Sequence, residues 1–192
     1  MLNDERALLE RAAKGDGQAF SELLAAHEGR MYAVALRMCG NPEDAQDCLQ
    51  EAMLRIFRSI SGFKGQSAFA TWVYRITMNT CLDELRRSRR RSASSLDARL
   101  EAGWSPTDDM DTPEHHAMRS EQRRALERAI AQLPEDMRAA VVLRDIQSCA
   151  YDEIADILGT NVGTIKSRIS RGRARLREIL SQERELFGRP DV

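Results

Sequence analysis

The chain has 192 residues, with 29 Lys and Arg against 30 Asp and Glu, a formal net charge of −1 and a pI of about 6.3. This balance argues against a uniformly basic protein that coats nucleic acid and against a strongly acidic disordered chain. The length suggests one or two small domains. The charge is unevenly distributed, because residues 61–92 sum to +5 and residues 161–192 to +4, whereas residues 93–136 sum to −5. The two basic blocks are therefore the first candidates for functional segments.

Composition favours helix over strand, since the chain has 24 Ala but only 6 Val. The longest apolar run, Met31 to Leu36, has six residues, far too few to span a membrane. Charged residues from position 4 onward leave no apolar stretch for a secretory signal, so we expect a cytoplasmic protein. The four cysteines are widely spaced, with no C-x-x-C pair and no nearby pair of histidines. We therefore expect buried thiols, without a disulfide framework, a metal site or a cofactor.

Apolar residues recur every three or four positions in residues 5–14 and again from about Phe20 to Gly40, which predicts two helices. The sequence Asn41-Pro42-Glu43-Asp44 is a strong start for a third helix, because asparagine caps and proline fits the first turn. The third helix has an apolar stripe and a polar face of Asp47, Gln50, Glu51 and Arg55. Most such faces are merely solvated, and a protein-binding face is the minority interpretation from these residues alone.

A loop over residues 61–67 follows, and its last serine can cap the next helix. This fourth helix runs into the arginine-rich segment 86–91. Trp72, Arg75 and Asn79 are spaced by three and four residues and share a helix face. An aromatic ring beside cationic and amide groups suits single-stranded bases, which stack and expose their edges. A core tryptophan and a solvated basic helix end explain the same residues equally well.

Residues 92–112 are rich in Ser, Asp and small residues and have little apolar periodicity, which predicts a mobile linker. Trp104 is a candidate anchor within it. The sequence Thr112-Pro113-Glu114 predicts the cap of a helix that ends near Gln132. The pair His115-His116 predicts no shared metal site, because adjacent side chains diverge on a helix.

Residues 133–136 open a compact C-terminal unit with helices predicted over about 135–147, 151–158 and 162–182. Gly159 supplies the turn between the last two helices. The final helix exposes hydrogen-bonding and cationic residues: Thr164, Lys166, Ser167, Arg168, Ser170, Arg171 and Arg173. This pattern predicts a helix-turn-helix whose second helix enters the major groove, where Arg can read guanine and Lys and Ser can hold phosphates. The alternative is an ordinary helical hairpin with a solvated basic face.

The sequence thus predicts an all-α protein with two small helical domains, over residues 1–92 and 119–192, joined by an acidic flexible linker over 93–118. It contains no Gly-rich phosphate loop, nucleophile elbow or close pair of carboxylates, so we assign no catalytic residue and expect no enzyme. One function that fits this organisation is an operator-binding regulator that protects a palindromic site unaided. Another is a helical adaptor that does not bind DNA, which the Gly159 turn and basic helix make improbable.

In combination and in order, these motifs resemble a bacterial RNA polymerase sigma factor of the extracytoplasmic-function (ECF) group. The stretches that carry the resemblance are N-P-E-D-A-Q-D-C-L-Q-E-A-M-L-R-I-F (41–57), F-K-G-Q-S-A-F-A-T-W-V-Y-R-I-T-M-N-T-C-L-D-E-L-R-R (63–87), L-P-E-D-M-R (133–138) and Y-D-E-I-A-D-I-L-G-T-N-V-G-T-I-K-S-R-I-S-R-G-R-A-R-L (151–176). The resemblance implies two domains, called regions 2 and 4. It also implies three partners: core RNA polymerase, promoter DNA and an anti-sigma factor.

The resemblance further implies three functional surfaces. The docking surface would contact the coiled coil of the polymerase beta-prime subunit; its residues are Asp47, Gln50, Glu51, Leu54, Arg55 and Phe57. The minus-ten surface would capture and melt the minus-ten element; its residues are Phe63, Lys64, Gly65, Ser67, Phe69, Thr71, Trp72, Arg75, Asn79, Arg86 and Arg87. The minus-thirty-five surface would be the exposed face of the last helix, comprising Thr164, Lys166, Ser167, Arg168, Ser170, Arg171 and Arg173. The beta flap of the polymerase is a further expected contact.

Three departures from the family pattern carry expectations. Ala70 stands where a larger or cationic side chain is common, so one contact with the DNA backbone is expected to be missing. Ser170 stands where relatives can carry an aromatic residue, so the minus-thirty-five preference is expected to differ. Residues 148–151, Ser-Cys-Ala-Tyr, lack the usual hydroxyl cap of the following helix.

The linker of the family threads the polymerase cleft on the path of the RNA. The acidic residues between 97 and 114, with a net charge of −5, predict mimicry of RNA there. A plain solubilising tether is the alternative.

Overall fold

A computed structural model of the chain describes residues 2–92 and 113–182, with side chains over 5–91 and 121–182. Its elements are α1 (Leu2–Ala13), α2 (Gly17–Cys39), α3 (Pro42–Ser59), a 3₁₀ turn (Ile60–Gly62), α4 (Phe69–Ser92), α5 (Pro113–Ala131), α6 (Glu135–Val141), a π-helical turn (Val142–Ile146), α7 (Tyr151–Leu158) and α8 (Val162–Ser181). Within the described ranges there is no strand, which confirms the all-α prediction. In the same ranges, no helix combines the length and apolarity needed to cross a bilayer.

Part of the predicted linker falls outside this description. The segment 93–112, with Trp104 and most of the acidic residues, is not among the described residues, nor are the side chains of residues 114–116. The idea that the linker mimics RNA therefore stays a prediction. Helix α5 begins at Pro113, as the cap signal predicted, so its first turns lie within the range assigned to the linker.

Short polar signals set the ends of the N-terminal helices. Asp16 caps α2 by accepting hydrogen bonds from two backbone N–H groups, each at 3.0 Å, so the helix starts a few residues before the predicted Phe20. The helix ends at Gly40, whose φ of 82° is left-handed and favours glycine. Asn41 caps α3 as predicted, accepting from the Asp44 N–H at 2.8 Å.

Helix α4 starts differently from the prediction. The N–H of Trp72 donates to the carbonyl oxygen of Ala68 at 3.2 Å, which makes Ala68, rather than Ser67, the capping residue. The predicted helix over 135–147 consists of α6 followed by one wide π-helical turn. The helix-turn-helix itself is confirmed: α7 ends at Gly159 with a φ of 60°, and Asn161 caps α8 by accepting from the Thr164 N–H at 2.8 Å.

The two domains are packed against each other. One buried core contains Met78 and Cys81 of α4 together with Leu143 and Ile154 of the C-terminal domain, each fully shielded from solvent. At the rim of this contact, Arg89 of α4 pairs with Glu135 of α6 at 3.2 Å. The sequence predicted two domains and a linker but gave no signal for this contact, because an apolar residue that packs between domains looks the same as one that packs within a domain.

The missing hydroxyl at the start of α7 leads to a stability prediction. Ala150 is exposed at the N-cap position with φ −71° and ψ 157°, and the carboxylate of Glu153 already accepts from its N–H at 2.7 Å. Ala150→Ser would complete a reciprocal capping pair, so we expect the free energy of unfolding to rise by about 1 kcal/mol. Chemical denaturation measures the change. Ala150→Val, which adds bulk at this exposed position but no oxygen acceptor, should not reproduce the gain.

Candidate nucleic-acid interface

The minus-thirty-five surface is held in place by the buried side of α8. Ile165 and Ile169 are 0% and 2% exposed, and they fix the rotation of the helix about its axis. Four assigned residues on the other side are exposed: Lys166, Ser167, Ser170 and Arg171. Thr164 and Arg168 are half-buried, while Arg173 is exposed. The helix thus presents cationic and hydroxyl groups to solvent over two consecutive turns, an arrangement that fits the major groove.

Some cations of this surface already have partners within the chain. Arg168 pairs with Asp136 at 3.2 Å, and Arg173 donates to Asp145 from Nε at 3.0 Å. The contact with Asp145 raises the pKa of Arg173 above its ordinary value. By contrast, Arg171 donates only to the carbonyl of Ser167 in its own helix, at 3.4 Å. The Arg171 side chain can therefore leave its intramolecular contact at the smallest cost.

Aromatic rings support the minus-ten surface. The rings of Phe63 and Trp72 have centroids 5.1 Å apart, and Phe69 lies 5.8 Å from Trp72 and 5.7 Å from Phe63. Phe69 is only 5% exposed, so its contribution is to hold its neighbours rather than to stack on a base. Trp72 and Phe63 are half-buried and retain exposed ring surface. In the loop before α4, Lys64 and Gly65 are exposed, Ser67 is half-buried, and Gly65 adopts a φ of 68°.

Farther along α4, polar groups share the predicted face. Asn79 is exposed, and the Nε of Arg75 is buried without a hydrogen-bond partner among the described residues. A guanidinium nitrogen that is out of water and without an acceptor is an incomplete arrangement, which a base or a phosphate would complete. Arg86 and Arg87 are exposed and make only long contacts of 3.6 Å with Asp83 and Glu84.

The C-terminal domain covers part of the minus-ten surface. Thr71 is 5% exposed, and its hydroxyl donates to the carboxylate of Glu153 in α7 at 3.2 Å. Its neighbour Tyr74 is also 5% exposed and belongs to the core shared by the two domains. Thr71 was predicted to contact DNA, but in this arrangement α7 shields it. The described conformation therefore does not expose the whole minus-ten surface.

The docking surface forms the outer face of α3. Leu54 and Phe57 are 48% and 49% exposed, and they are two of the three large hydrophobic side chains that are exposed among the described residues. Arg55 is held by two carboxylates, Glu51 at 2.8 Å and Asp83 of α4 at 3.1 Å, and this raises its pKa. Asp47 and Gln50 are exposed beside it. An apolar patch with a charged rim is typical of a protein-binding surface.

The sequence reasoning missed two residues that shape the C-terminal domain. A Cβ on Gly172 would lie 2.7 Å from Cγ2 of Val141, so glycine is needed where α6 and α8 cross. Arg138 is 9% exposed and donates to the carbonyl oxygens of Met38, Ala131 and Leu133. The motif Leu133–Arg138 pointed to this region, but nothing in the sequence identified its arginine as buried.

The fold and these surfaces define a class: an all-helical DNA-binding protein with a helix-turn-helix in one domain and an aromatic, cationic helix in the other. Comparison with known families agrees with this class. The model of sigma-70 region 2 matches residues 23–91, and that of sigma-70 region 4 matches residues 123–176. These matches lie within the two predicted domains.

Individual relatives give the same result. The RNA polymerase sigma-H factor of Pseudomonas aeruginosa is 36% identical over 186 residues, which cover 94% of this chain and 96% of that protein. The ECF RNA polymerase sigma-E factor of Haemophilus influenzae is 36% identical over 173 residues, or 88% of this chain and 91% of that protein. Among solved structures, CnrH in complex with the cytosolic domain of CnrY aligns with a TM-score of 0.62 and 26% identity, covering 93% of this chain and 98% of that one.

A further solved structure, the sigma factor RpoE of Bartonella quintana in complex with the anti-sigma factor NepR, has the same fold, with a TM-score of 0.71 at 24% identity over 84% of this chain and 96% of that one. The chain belongs to the sigma-70 family of RNA polymerase sigma factors, in its ECF group. It acts with core RNA polymerase on promoter DNA in the initiation of transcription. It is not an enzyme, because a sigma factor directs the polymerase and makes or breaks no bond itself.

Proposed function

We propose that the three surfaces divide the work of promoter-specific initiation. The docking surface on α3 binds the coiled coil of the beta-prime subunit, and the C-terminal domain meets the beta flap. The minus-thirty-five surface on α8 reads the upstream element as duplex. The minus-ten surface, from Phe63 to Arg87, holds the melted strand. The observation that carries this assignment is the exposed run of Lys166, Ser167, Ser170 and Arg171 on a helix that buries Ile165 and Ile169 on its other side.

Capture of single-stranded bases on α4 assists melting. A base that leaves the duplex loses stacking and pairing, at a cost of a few kcal/mol. Stacking on an aromatic ring returns about 1–3 kcal/mol per base, and the exposed part of Trp72 is available for this. The Nε of Arg75, which has no acceptor among the described residues, gains a hydrogen bond in the same step. Binding to the open strand is thereby favoured over binding to the closed duplex.

Packing of the two domains limits these activities in the free chain. With Thr71 bonded to Glu153 at 3.2 Å and Tyr74 buried under the C-terminal domain, full access to α4 requires α7 to move away. Core polymerase, which binds both domains, supplies the energy for this separation. An anti-sigma partner that holds the domains together would oppose it. The complexes of RpoE with NepR and of CnrH with CnrY support the expectation of such a partner for this chain, and we place the chain in the cytoplasm, where the polymerase is.

Run-off transcription with core polymerase on a genomic promoter library tests the function as a whole. We expect transcripts from a limited set of promoters that share two motifs, and little specific DNA binding by the purified chain alone. Specific protection of a palindromic site by the chain without polymerase would instead favour a conventional operator-binding regulator.

The docking surface has its own test. Leu54→Asp introduces a charge into the exposed apolar patch of α3, so we expect affinity for core polymerase to fall by more than about tenfold, since an unpaired charge is costly to desolvate in an interface. Fluorescence titration of labelled chain with core polymerase measures the change. Leu126→Asp is the matched control, because Leu126 is also exposed, at 40%, but lies on α5. Equal losses for the two variants, or none for Leu54→Asp, would contradict the assignment.

A further inference from the structure

Three of the four cysteines, far apart in sequence, meet inside the N-terminal domain. Cys39 is the last residue of α2, Cys48 lies in α3 and Cys81 in α4. Their three sulfur atoms lie within 4.8 Å of one another, and the Cys39 thiol donates to Sγ of Cys48 at 3.5 Å. The fourth cysteine, Cys149, lies in the C-terminal domain before α7 and is not in the cluster. The spacings of 9 and 33 residues match no sequence pattern for a metal site, so the sequence predicted only buried thiols.

The separation of the sulfur atoms suits a single soft metal ion. A metal–thiolate bond is about 2.3 Å long, so three sulfur atoms around one ion are about 3.8–4.0 Å apart. The separations in the cluster, of 3.5 Å to at most 4.8 Å, bracket these values, and small rotations of the side chains would equalise them. Thiolates select soft ions such as Cu(I) and Zn(II) over hard ones such as Mg²⁺.

A metal ion explains the cluster better than a disulfide bond does. A disulfide uses two thiols and would leave the third without a role. Moreover, Cys48 and Cys81 are only 2% and 0% exposed, which hinders attack by an oxidant, whereas the partly exposed Cys39 offers a route by which an ion can be passed inward from one thiol to the next. No histidine or carboxylate oxygen joins the three sulfur atoms among the described residues, so the coordination supplied by the protein is three thiolates.

We propose that Cys39, Cys48 and Cys81 bind one soft d¹⁰ cation, of the class of Cu(I) and Zn(II), as a three-thiolate site. Binding forms three metal–sulfur bonds, releases to solvent the protons that the thiols carried, and changes no oxidation state. The ion would connect the end of α2 to α3 and α4. This place is next to Arg138, which reaches from the C-terminal domain to the carbonyl oxygen of Met38. Because the ion binds the folded chain, it should raise the temperature of unfolding.

Titration of the reduced, full-length chain under anaerobic conditions tests the site, with Cu(I) in one arm and Zn(II) in the other, each against a competing chelator. For at least one ion we expect an ultraviolet sulfur-to-metal absorption band or displacement of chelator that saturates at one equivalent. At saturation, Cys39, the partly exposed thiol of the cluster, should become protected from a thiol reagent. The arm with the tighter competition constant identifies the ion.

Single substitutions separate the cluster from adventitious binding. Cys39→Ser, Cys48→Ser and Cys81→Ser should each abolish the one-equivalent binding, whereas Cys149→Ser, which removes the cysteine outside the cluster, should retain it. Circular dichroism verifies that each variant is folded, and Cys39→Ser, at the partly exposed helix end, is the variant expected to disturb packing least. Absence of saturable binding in both arms would overturn the proposal. So would retention of binding in folded Cys39→Ser, or formation of a Cys39–Cys48 disulfide in air by a chain that binds neither ion.

Discussion

Arg138→Ala is expected to lower the free energy of unfolding by about 3–5 kcal/mol, the largest loss that we expect from one substitution in this chain. The guanidinium of Arg138 is 9% exposed and donates to three backbone carbonyls: Met38 at 2.5 Å, Leu133 at 3.1 Å and Ala131. The carbonyls of Met38 and Ala131 belong to the ends of α2 and α5, where helices leave acceptors unpaired, and that of Leu133 lies in the turn after α5. Removing the side chain leaves all three without a donor in a buried place.

Two further variants show what the expected loss consists of. Arg138→Lys keeps the charge but lacks the planar fork that reaches several acceptors at once, so it should recover less than half of the loss. Arg144→Ala is the matched control, because Arg144 is half-buried and donates to one backbone carbonyl, that of Cys149, at 2.8 Å; it should cost about 1 kcal/mol. Urea denaturation followed by circular dichroism measures all three. A loss below about 1 kcal/mol for Arg138→Ala would contradict the role described for this residue.

Arg171→Ala is expected to weaken binding of the holoenzyme to its upstream promoter element by about 5- to 150-fold, as for loss of one bidentate contact to guanine. The side chain is exposed, and in the free chain it donates only to its own helix at 3.4 Å, so little intramolecular bonding opposes its use. The loss should be concentrated in promoters that carry the preferred base and should relax selectivity at one position.

The expected effect of Lys166→Ala on the same surface is different. Loss of a lysine that holds a phosphate should weaken binding to all promoters alike. The slope of the logarithm of the binding constant against the logarithm of the salt concentration should fall in magnitude by about 0.9. Arg30→Ala is the control for loss of charge, since Arg30 is exposed on α2, outside the minus-thirty-five surface. Binding of the holoenzyme to a set of single-base promoter variants, at several salt concentrations, separates the three. Identical profiles for Arg171→Ala and Arg30→Ala would remove Arg171 from the minus-thirty-five surface.

Local signals in the sequence predicted most of the secondary structure. The asparagine cap at position 41, the glycine stop at position 40 and the Gly159 turn are properties of single residues and their neighbours, and all three occur as predicted. The predicted start of α2 near Phe20 was wrong by a few residues, because Asp16 caps the helix and it begins at Gly17. At α4 the signal from Ser67 was present but the backbone placed Ala68 at the cap, since a serine cap is a preference that packing of the following helix can override.

The features that the sequence does not predict are contacts between residues that lie far apart in the chain. The residues of the minus-thirty-five surface lie within ten positions on one helix, so helical periodicity alone identifies their shared face. The hydrogen bond between Thr71 and Glu153, by contrast, joins residues 82 positions apart. The partners of Arg138 lie up to 100 positions away. No periodicity connects such pairs, because contacts of this kind depend on how whole helices pack.

The sequence by itself determined that this protein is all-helical, carries a helix-turn-helix and belongs with the ECF sigma factors, because those properties depend on local periodicity, turn residues and motifs in order. Only the tertiary structure decided that the two domains share a core, that this core covers part of the minus-ten surface, and that three cysteines from three helices meet. The physical reason is the same in each case: buried apolar groups and thiols have no directional signature in sequence, and their partners are chosen by the packing of the folded chain.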